Sequence, residues 1–299
     1  MLNNLLTVAD TIRAISALFD SAGLHYGHGT ENAWDEASWL VLSVMGISPQ
    51  LEEVDGAIPV SGQQAGRIQE LAEQRIRTRK PLAYLLNSAW FCGLEFFVDE
   101  RVIVPRSPIA EMITDHFSPW ITGMPRRILD LCTGSACIAI ACAKQFPDAD
   151  VTGTDISDEA LAVAGLNVER HGLRDRVLLC RADIFTGLPK ARYDLIICNP
   201  PYVDADEMAN LPPEFLQEPE SALAAGADGL EFVRRLLQEA GNFLVPDGVL
   251  VCEVGNSEQA LSRAYPCLPF IWPEFECGGS GVFVLRCGDL EELLTAPDR

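Results

Sequence analysis

The spacing of apolar side chains divides the chain into a helical first part and a second part in which strands alternate with helices. Up to about residue 87, apolar residues recur every three or four positions, which predicts amphipathic helices. A second helix is predicted between Trp34 and Val44, and a third after Ser61, whose hydroxyl is a suitable N-cap. The first helix is marked by Leu5, Val8, Ile12, Ile15 and Phe19.

The predicted third helix ends in a basic cluster. The cluster consists of Arg75, Arg77, Arg79 and Lys80. Cations stabilise the C-terminal end of a helix, so we interpret the cluster as a solvated helix end. The alternative is a contact with a substrate protein.

Residues 90–104 alternate between apolar and polar side chains and turn at Asp99 and Glu100, which predicts a β-hairpin. The following Pro105 and Pro108 break the strand and open a helix. Arg106, between these prolines, is interpreted either as a structural joint or as a group that closes the site or contacts the substrate.

From Arg126 onward the pattern predicts a parallel, doubly wound α/β sheet, because strands alternate with helices. Strands are predicted over 127–134, 150–157, 176–185, 193–202 and 248–255. Helices are predicted over 135–146, 158–172, 228–242 and 257–264. Two β-like runs close the sequence, the last of them ending in "GVFVLRC".

The net charge of −21, from 22 basic and 43 acidic residues, limits the possible partners. A protein that grips nucleic acid needs cations to replace the counterions of phosphates. The charge therefore argues against direct DNA binding and suits a basic protein partner. The alternative is that the charge serves only solubility.

We expect a cytoplasmic protein without a membrane span, a secretory signal or a metal site. There is no run of about 18 uninterrupted apolar residues, and the first residues carry no basic leader. The 10 cysteines form no CxxC pair, so we interpret them as small apolar residues in a reducing compartment.

Residues at the predicted strand ends are candidates for ligand binding, since ligands of such sheets lie beyond the carboxyl ends of the strands. Gly134 follows the first strand, in a turn that brings backbone N–H groups to a helix start. Asp155 lies 21 residues further on, the spacing at which carboxylates accept hydrogen bonds from ribose hydroxyls. Asp183 ends the third strand and is either an acceptor for an adenine amino group or an N-cap.

The fourth strand ends in Asn199, Pro200, Pro201 and Tyr202. The prolines end the ladder and lack N–H groups, which leaves carbonyl oxygens free to accept. Asn199 adds a side-chain carbonyl and Tyr202 a flat aromatic face. This combination suits a planar group that carries an NH₂, such as an amide or an amino-base.

Several stretches resemble class I S-adenosylmethionine-dependent methyltransferases that act on protein glutamine. They are "DLCTGSAC", "TDIS", "NPPY" and "EPESALAAGADGL". The stretches "AWFCGLEFFVDERVIVPRSPIAE" and "PFIWPEFECGGSGVFVL" are most similar to the branch that modifies large-subunit (50S) ribosomal protein three.

The resemblance implies a class I methyltransferase Rossmann-like fold with a small helical N-terminal domain. The implied division is a helical substrate-recognition domain over 1–88, a β-hairpin linker over 89–110 and an S-adenosylmethionine-dependent methyltransferase domain over 111–299. Ala136 departs from the family, which usually has glycine there. Its methyl group either crowds the cofactor or is tolerated because the backbone keeps a negative φ.

The resemblance also implies the reaction and the residues that carry it. The reaction is methyl transfer from S-adenosyl-L-methionine to the side-chain amide nitrogen of a glutamine in the basic ribosomal protein. The implied catalytic residues are Asn199, Pro200 and Tyr202. The implied cofactor-binding residues are Asp130, Thr133, Gly134, Ser135, Asp155, Ile156, Asp183 and Asn199.

The sequence is compatible with three alternatives. The sister branch, which methylates peptide-chain release factors, typically has the run Pro-Arg-Pro-Glu-Thr-Glu. At the same place this chain has a different run, which starts at Pro105. A DNA methyltransferase acting on the amino group of adenine also presents an NH₂ to this motif, but it must flip a base and hold phosphates. The third alternative is a ribosome-assembly factor that has lost catalysis.

Overall fold

The computed structural model describes residues 6–48 and 54–290. Its first part is a group of helices, α1 (Val8–Ala22), α2 (Ala33–Met45), α3 (Gly62–Thr78) and α4 (Leu82–Leu86). The predicted N-cap of α3 is confirmed: the Ser61 side chain accepts from the N–H of Gln64, whose side chain accepts from the Ser61 N–H. The predicted member Leu5 of the first helix lies outside the described residues.

The prediction of a solvated end for α3 is wrong at Arg75. This side chain is fully buried; its Nε donates to Glu36 Oε1 at 2.6 Å and its Nη2 to the carbonyl of His25 at 3.0 Å. Arg79 is half-buried and donates to the carbonyl of Gly23 at 2.9 Å. The helix end is covered because the segment that carries Glu214 packs on it; of the four basic residues, Arg77 is exposed, whereas Arg79 and Lys80 are partly buried.

The hairpin lies where it was predicted, but its turn does not. Strands β1 (Ala89–Phe91) and β2 (Leu94–Phe96) pair antiparallel around a turn at Cys92 and Gly93. The chain does turn again after Asp99, yet no strand follows. Directly after β2, the Phe97 backbone pairs with the Asn167 amide, which accepts from the Phe97 N–H at 2.7 Å and donates to its carbonyl at 3.0 Å.

The second part is a six-stranded sheet in the order β5-β4-β3-β6-β7-β8. The strands are β3 (Arg127–Leu131), β4 (Asp150–Asp155), β5 (Val177–Arg181), β6 (Tyr193–Cys198), β7 (Leu244–Glu253) and β8 (Val282–Arg286). The first five are parallel, and β8 runs antiparallel to β7. This confirms the predicted α/β class, although the first of the two late β-like runs is reduced to one bridge, Ile271 to Val284.

Helices cover this sheet and follow its strands. They are α5 (Ile109–Thr114), α6 (Cys137–Gln145), α7 (Asp158–Arg170), α8 (Ala205–Ala209), α9 (Glu231–Glu239) and α10 (Glu258–Ala264). Among the described residues, no helix has the length and apolar character needed to span a bilayer.

The order in which the strands are added to the sheet reverses next to β3. The chain proceeds from β3 to β4 and β5 on one side and then returns to β6 on the other. The carboxyl ends of β3, β4 and β6 are therefore neighbours at a switch point, which is where such sheets bind ligands.

Candidate active site

The loop after β3 is braced from beneath by Asp130. Its Oδ2 accepts from the Thr133 hydroxyl at 2.5 Å and from the N–H of Ala139, in the first turn of α6, at 3.1 Å. Burial raises the pKa of Asp130 to about 7, although these two donors oppose the shift. Asp130, Thr133 and Ser135 are all buried, and none of them lines the cleft described below.

Asp155, the last residue of β4, is bound to this loop. Its Oδ2 accepts from the N–H of Gly134 at 3.0 Å, and its Oδ1 accepts from the N–H of Ser157 at 2.9 Å. Burial raises the pKa of Asp155, and the two N–H groups counteract that rise. A carboxylate oxygen has capacity for a second donor, so the side chain can accept further hydrogen bonds from a ligand.

A cleft of about 310 Å³ opens over these strand ends. It is lined by Gly134, Asp155, Ile156, Asp183 and Asn199 together with apolar side chains such as Leu131 and Phe232. Ile156 is 58% exposed, which is unusual for a large apolar side chain and suits contact with a flat ligand. Asp183 does not stand free, because Arg235 Nη2 donates to its Oδ2 at 3.0 Å.

Ala136 contradicts the expectation of a negative φ. Its φ is 63°, in the left-handed region that glycine favours, and the residue is fully buried. It belongs to the core cluster that contains Ile138 and Ile140, and it does not line the cleft. The methyl group therefore packs into the core, and its cost is backbone strain rather than crowding of a ligand.

The segment after β6 brings Asn199 to the border of two clefts. Asn199 lines both the first cleft and a second cleft of about 360 Å³, while Pro200 and Tyr202 line only the second. Within residues 6–48 and 54–290, the Asn199 amide makes no hydrogen bond, and the Pro200 carbonyl accepts none. The Asn199 amide oxygen and the Pro200 carbonyl are therefore free to accept hydrogen bonds from a group bound where the two clefts meet.

One wall of the second cleft is the segment 203–223, which two buried glutamates attach to the rest of the protein. Arg75 Nη1 and Arg79 Nη1 donate to Glu214 Oε1 at 3.4 and 3.2 Å. Arg106 makes two hydrogen bonds to Glu218, at 2.6 and 2.5 Å, and lies 5.2 Å from the centre of the Phe215 ring.

The ion pair between Arg106 and Glu218 attaches the segment that follows the hairpin to this wall. Glu218 Oε1 also accepts from the N–H of Val104 at 2.9 Å. Burial opposes ionisation of Glu218, but Arg106 and His28 outweigh it and lower its pKa to about 2. Arg106 is therefore a structural joint, and it lines the second cleft as well.

Sequence reasoning missed Glu214, Glu218 and Glu253 as parts of the site. Glu253 is the last residue of β7 and accepts from the Tyr202 hydroxyl at 2.9 Å. The strand-end rule, applied to this fifth strand, identifies Glu253. No local pattern identifies the partners of Glu214 and Glu218, since those partners lie in other elements.

Comparison with known proteins agrees with this architecture. Residues 110–229 match the family described as methyltransferase small domain. The catalytic domain of hMettl16, solved in complex with a 3′UTR hairpin, superposes with a TM-score of 0.52 at 18% identity, over 82% of this chain and 90% of that one. At this identity the superposition shows the fold alone.

Two curated relatives are far closer in sequence. The ribosomal protein uL3 glutamine methyltransferase of Francisella tularensis subsp. tularensis is 44% identical over 97% of this chain and 93% of its own length. The protein of the same name from Xanthomonas campestris pv. campestris is 46% identical over 95% of this chain and 92% of its own length. Identity of this degree over nearly the full length of both chains shows that the protein belongs to the family of ribosomal protein uL3 glutamine methyltransferases.

Proposed function

We propose that the protein transfers a methyl group from S-adenosyl-L-methionine to the side-chain amide nitrogen of a glutamine in ribosomal protein uL3, in the cytoplasm. The observation that carries the proposal is the position of Asn199, whose unbonded amide lies where the two clefts meet. One cleft would hold the methyl donor, and the other would admit the glutamine side chain. The names of the two curated relatives support the choice of substrate.

The residues of the first cleft suit the chemistry of S-adenosyl-L-methionine. Asp155 offers carboxylate oxygens for the ribose hydroxyls, and the exposed Ile156 offers an apolar face for the adenine. Gly134, whose N–H donates to Asp155, also lines the cleft and would present its backbone to the ligand. When bound, S-adenosyl-L-methionine supplies an activated methyl group on a sulfonium.

Asp130, Thr133 and Ser135 have an indirect role in this proposal. Asp130 and Thr133 hold the Gly134 loop from below, because Asp130 links the loop to the first turn of α6. The Ser135 carbonyl accepts from the Asn167 amide at 2.9 Å. Asp183 would reach the adenine with the carboxylate oxygen that Arg235 leaves free.

In the second cleft, the residues after β6 would hold the glutamine amide. Its nitrogen is a poor nucleophile, because the lone pair is delocalised into the carbonyl. Hydrogen bonds from the NH₂ to Asn199 Oδ1 and the Pro200 carbonyl would orient that nitrogen, while the Tyr202 ring packs on the amide plane. Positioning of this kind contributes up to roughly 7–11 kcal/mol of barrier lowering.

A neutral acceptor suits this reaction better than a charged one. An aspartate in place of Asn199 would attract the positive methyl donor before the reaction as strongly as during it, which does not accelerate the transfer. No base is required before the transfer, because the methylated amide loses its extra proton readily to water afterwards.

The net charge and the N-terminal helices would determine which protein partner binds. A net charge of −21 complements a basic ribosomal protein and disfavours unaided binding to DNA. We assign recognition of uL3 to the helices of residues 1–88 and to the hairpin region of 89–110, and methyl transfer to residues 111–299. The buried bonds of Glu214 and Glu218 would connect recognition to the wall of the second cleft.

Transfer of tritium from labelled S-adenosyl-L-methionine tests the proposal. Purified uL3, a release factor and duplex DNA are offered separately, and we expect label only in uL3, on a glutamine identified by mass spectrometry. Label in the release factor or in DNA would replace the proposed substrate. No label in any of them would support a non-catalytic assembly factor.

Asn199→Ala should abolish the transfer and leave the affinity for S-adenosyl-L-methionine nearly unchanged in calorimetry. Asn210→Ala is the matched control, since Asn210 lines the same cleft but its side chain is bonded to the Asp206 carbonyl at 2.7 Å. Wild-type turnover in the Asn199 variant would remove this residue from the mechanism.

A further inference from the structure

A buried carboxylate beneath the second cleft joins two hydroxyl groups. Glu253 is 4% exposed at the end of β7. Its Oε1 accepts from the Tyr202 hydroxyl at 2.9 Å, and its Oε2 accepts from the Ser107 hydroxyl at 2.6 Å. One side chain therefore links three parts of the chain: the end of β7, the segment after β6 and the loop before α5.

The Tyr202 ring is confined by the backbone as well as by this hydrogen bond. A Cβ atom on Gly255 would come within 2.5 Å of Cε2 of the ring, so the ring packs directly on the glycine. The φ of Gly255 is 47°, which a side chain would also strain. Packing on Gly255 and the hydrogen bond from the hydroxyl to Glu253 Oε1 together restrain the ring.

Glu253 itself lines neither cleft. It therefore has no route to the methyl donor or to the glutamine except through the residues that it holds. The protonation states agree with this arrangement: burial and the nearby Glu253 charge raise the pKa of Tyr202, so the phenol keeps its proton and donates. Burial also raises the pKa of Glu253, but the two hydroxyl donors and Arg106 oppose that rise.

We propose that Glu253 is a positioning residue for methyl transfer, which holds the Tyr202 ring in place against the glutamine amide through the phenol hydroxyl. The inference rests on the proposed function. It follows that the Tyr202 hydroxyl acts by fixing the ring and not by touching the substrate. Loss of the hydroxyl and loss of its acceptor should then have the same kinetic consequence.

A double-mutant cycle with Tyr202→Phe and Glu253→Gln tests this, with full-length protein, uL3 and labelled S-adenosyl-L-methionine. A small displacement of a positioned group can cost up to about 100-fold in rate, so we expect each variant to lower kcat by about 10-fold to 100-fold. The KM for S-adenosyl-L-methionine should not change, because neither residue lines the first cleft. The double variant should be no slower than the slower single variant, since both remove one interaction.

Tyr193→Phe is the matched control. Tyr193 is buried at the start of β6, the strand that leads into the segment with Tyr202, so its loss of a hydroxyl reports the general cost of this substitution. It should leave kcat unchanged. Ser107→Ala is a second probe that leaves Glu253 in place and decides the matter if Glu253→Gln does not fold; it should lower kcat with an unchanged KM for the methyl donor.

The outcomes separate the two proposals. Wild-type protein that labels no glutamine of uL3 refutes the proposed function. Active wild-type protein, together with wild-type kcat in Tyr202→Phe or multiplicative losses in the double variant, overturns the role of Glu253 and leaves the proposed function standing.

Discussion

Replacing Arg75 by alanine should destabilise the protein by about 3–5 kcal/mol, the cost of removing one partner of a buried ion pair. Arg75 is fully buried, and it donates to Glu36 at 2.6 Å, to Glu214 at 3.4 Å and to the carbonyl of His25 at 3.0 Å. The variant leaves these acceptors buried without their cation.

The structure places the expected loss at the lower end of this range. Arg79 still donates to Glu214 at 3.2 Å, so that glutamate keeps one cationic partner. Among the residues that the structure describes, the Glu36 carboxylate retains the Thr30 hydroxyl, at 3.2 Å, as its remaining donor and loses most. About 3 kcal/mol is a large fraction of the roughly 5–15 kcal/mol that stabilises a typical domain.

Urea unfolding followed by circular dichroism measures the effect, with Arg77→Ala as the control. Arg77 lies two positions further along the same helix and is exposed, so its loss should change the free energy of unfolding by less than about 0.5 kcal/mol. Equal stabilities of the two variants would refute the conclusion that this helix end is buried and ion-paired. Arg75→Ala should also lower the rate of methyl transfer, because it removes a bond to Glu214, which holds one wall of the second cleft.

Three further predictions concern single groups. Asp155→Ala should weaken binding of S-adenosyl-L-methionine by about 100-fold in calorimetry, since it removes the charged acceptor to which two ribose hydroxyls would donate; Asp150→Ala is the control, and unchanged affinity would place the ribose elsewhere. Ala136→Gly should change the free energy of unfolding by less than about 1 kcal/mol, because relief of left-handed backbone strain is offset by the lost burial of the methyl group and by the freer unfolded chain. A large gain in cofactor affinity would show that the methyl group reaches the ligand. The Glu218 ion pair contributes stability that is fully present above the unfolded pKa of about 4.5 and is lost as the pH falls towards 2. The difference in unfolding free energy between wild type and Glu218→Gln should therefore shrink over this pH interval. A constant difference would contradict the lowered pKa.

The sequence determined the features that depend on neighbouring residues. The α/β alternation, the Ser61 cap and the parallel sheet follow from periodicity and local side-chain chemistry, which act over a few residues. The positions of Asp155 and Asn199 were also predictable, because each lies directly at a strand end and parallel strands bring those ends to one edge. The hairpin turn was misplaced: it lies at Cys92 and Gly93, and beyond β2 the side chain of Asn167, from a distant helix, pairs with the Phe97 backbone.

Which polar groups are buried, and what they bind, depends on the packing of distant segments. Arg75 looks like any cation at a helix end, and its burial depends on Glu214, 139 residues away in sequence. Arg106 and Glu218 are 112 residues apart, and Tyr202 and Glu253 are 51 apart. Such pairs form because buried charges and hydroxyls require partners from whichever segments the packing brings together, and a local pattern carries no information about that choice.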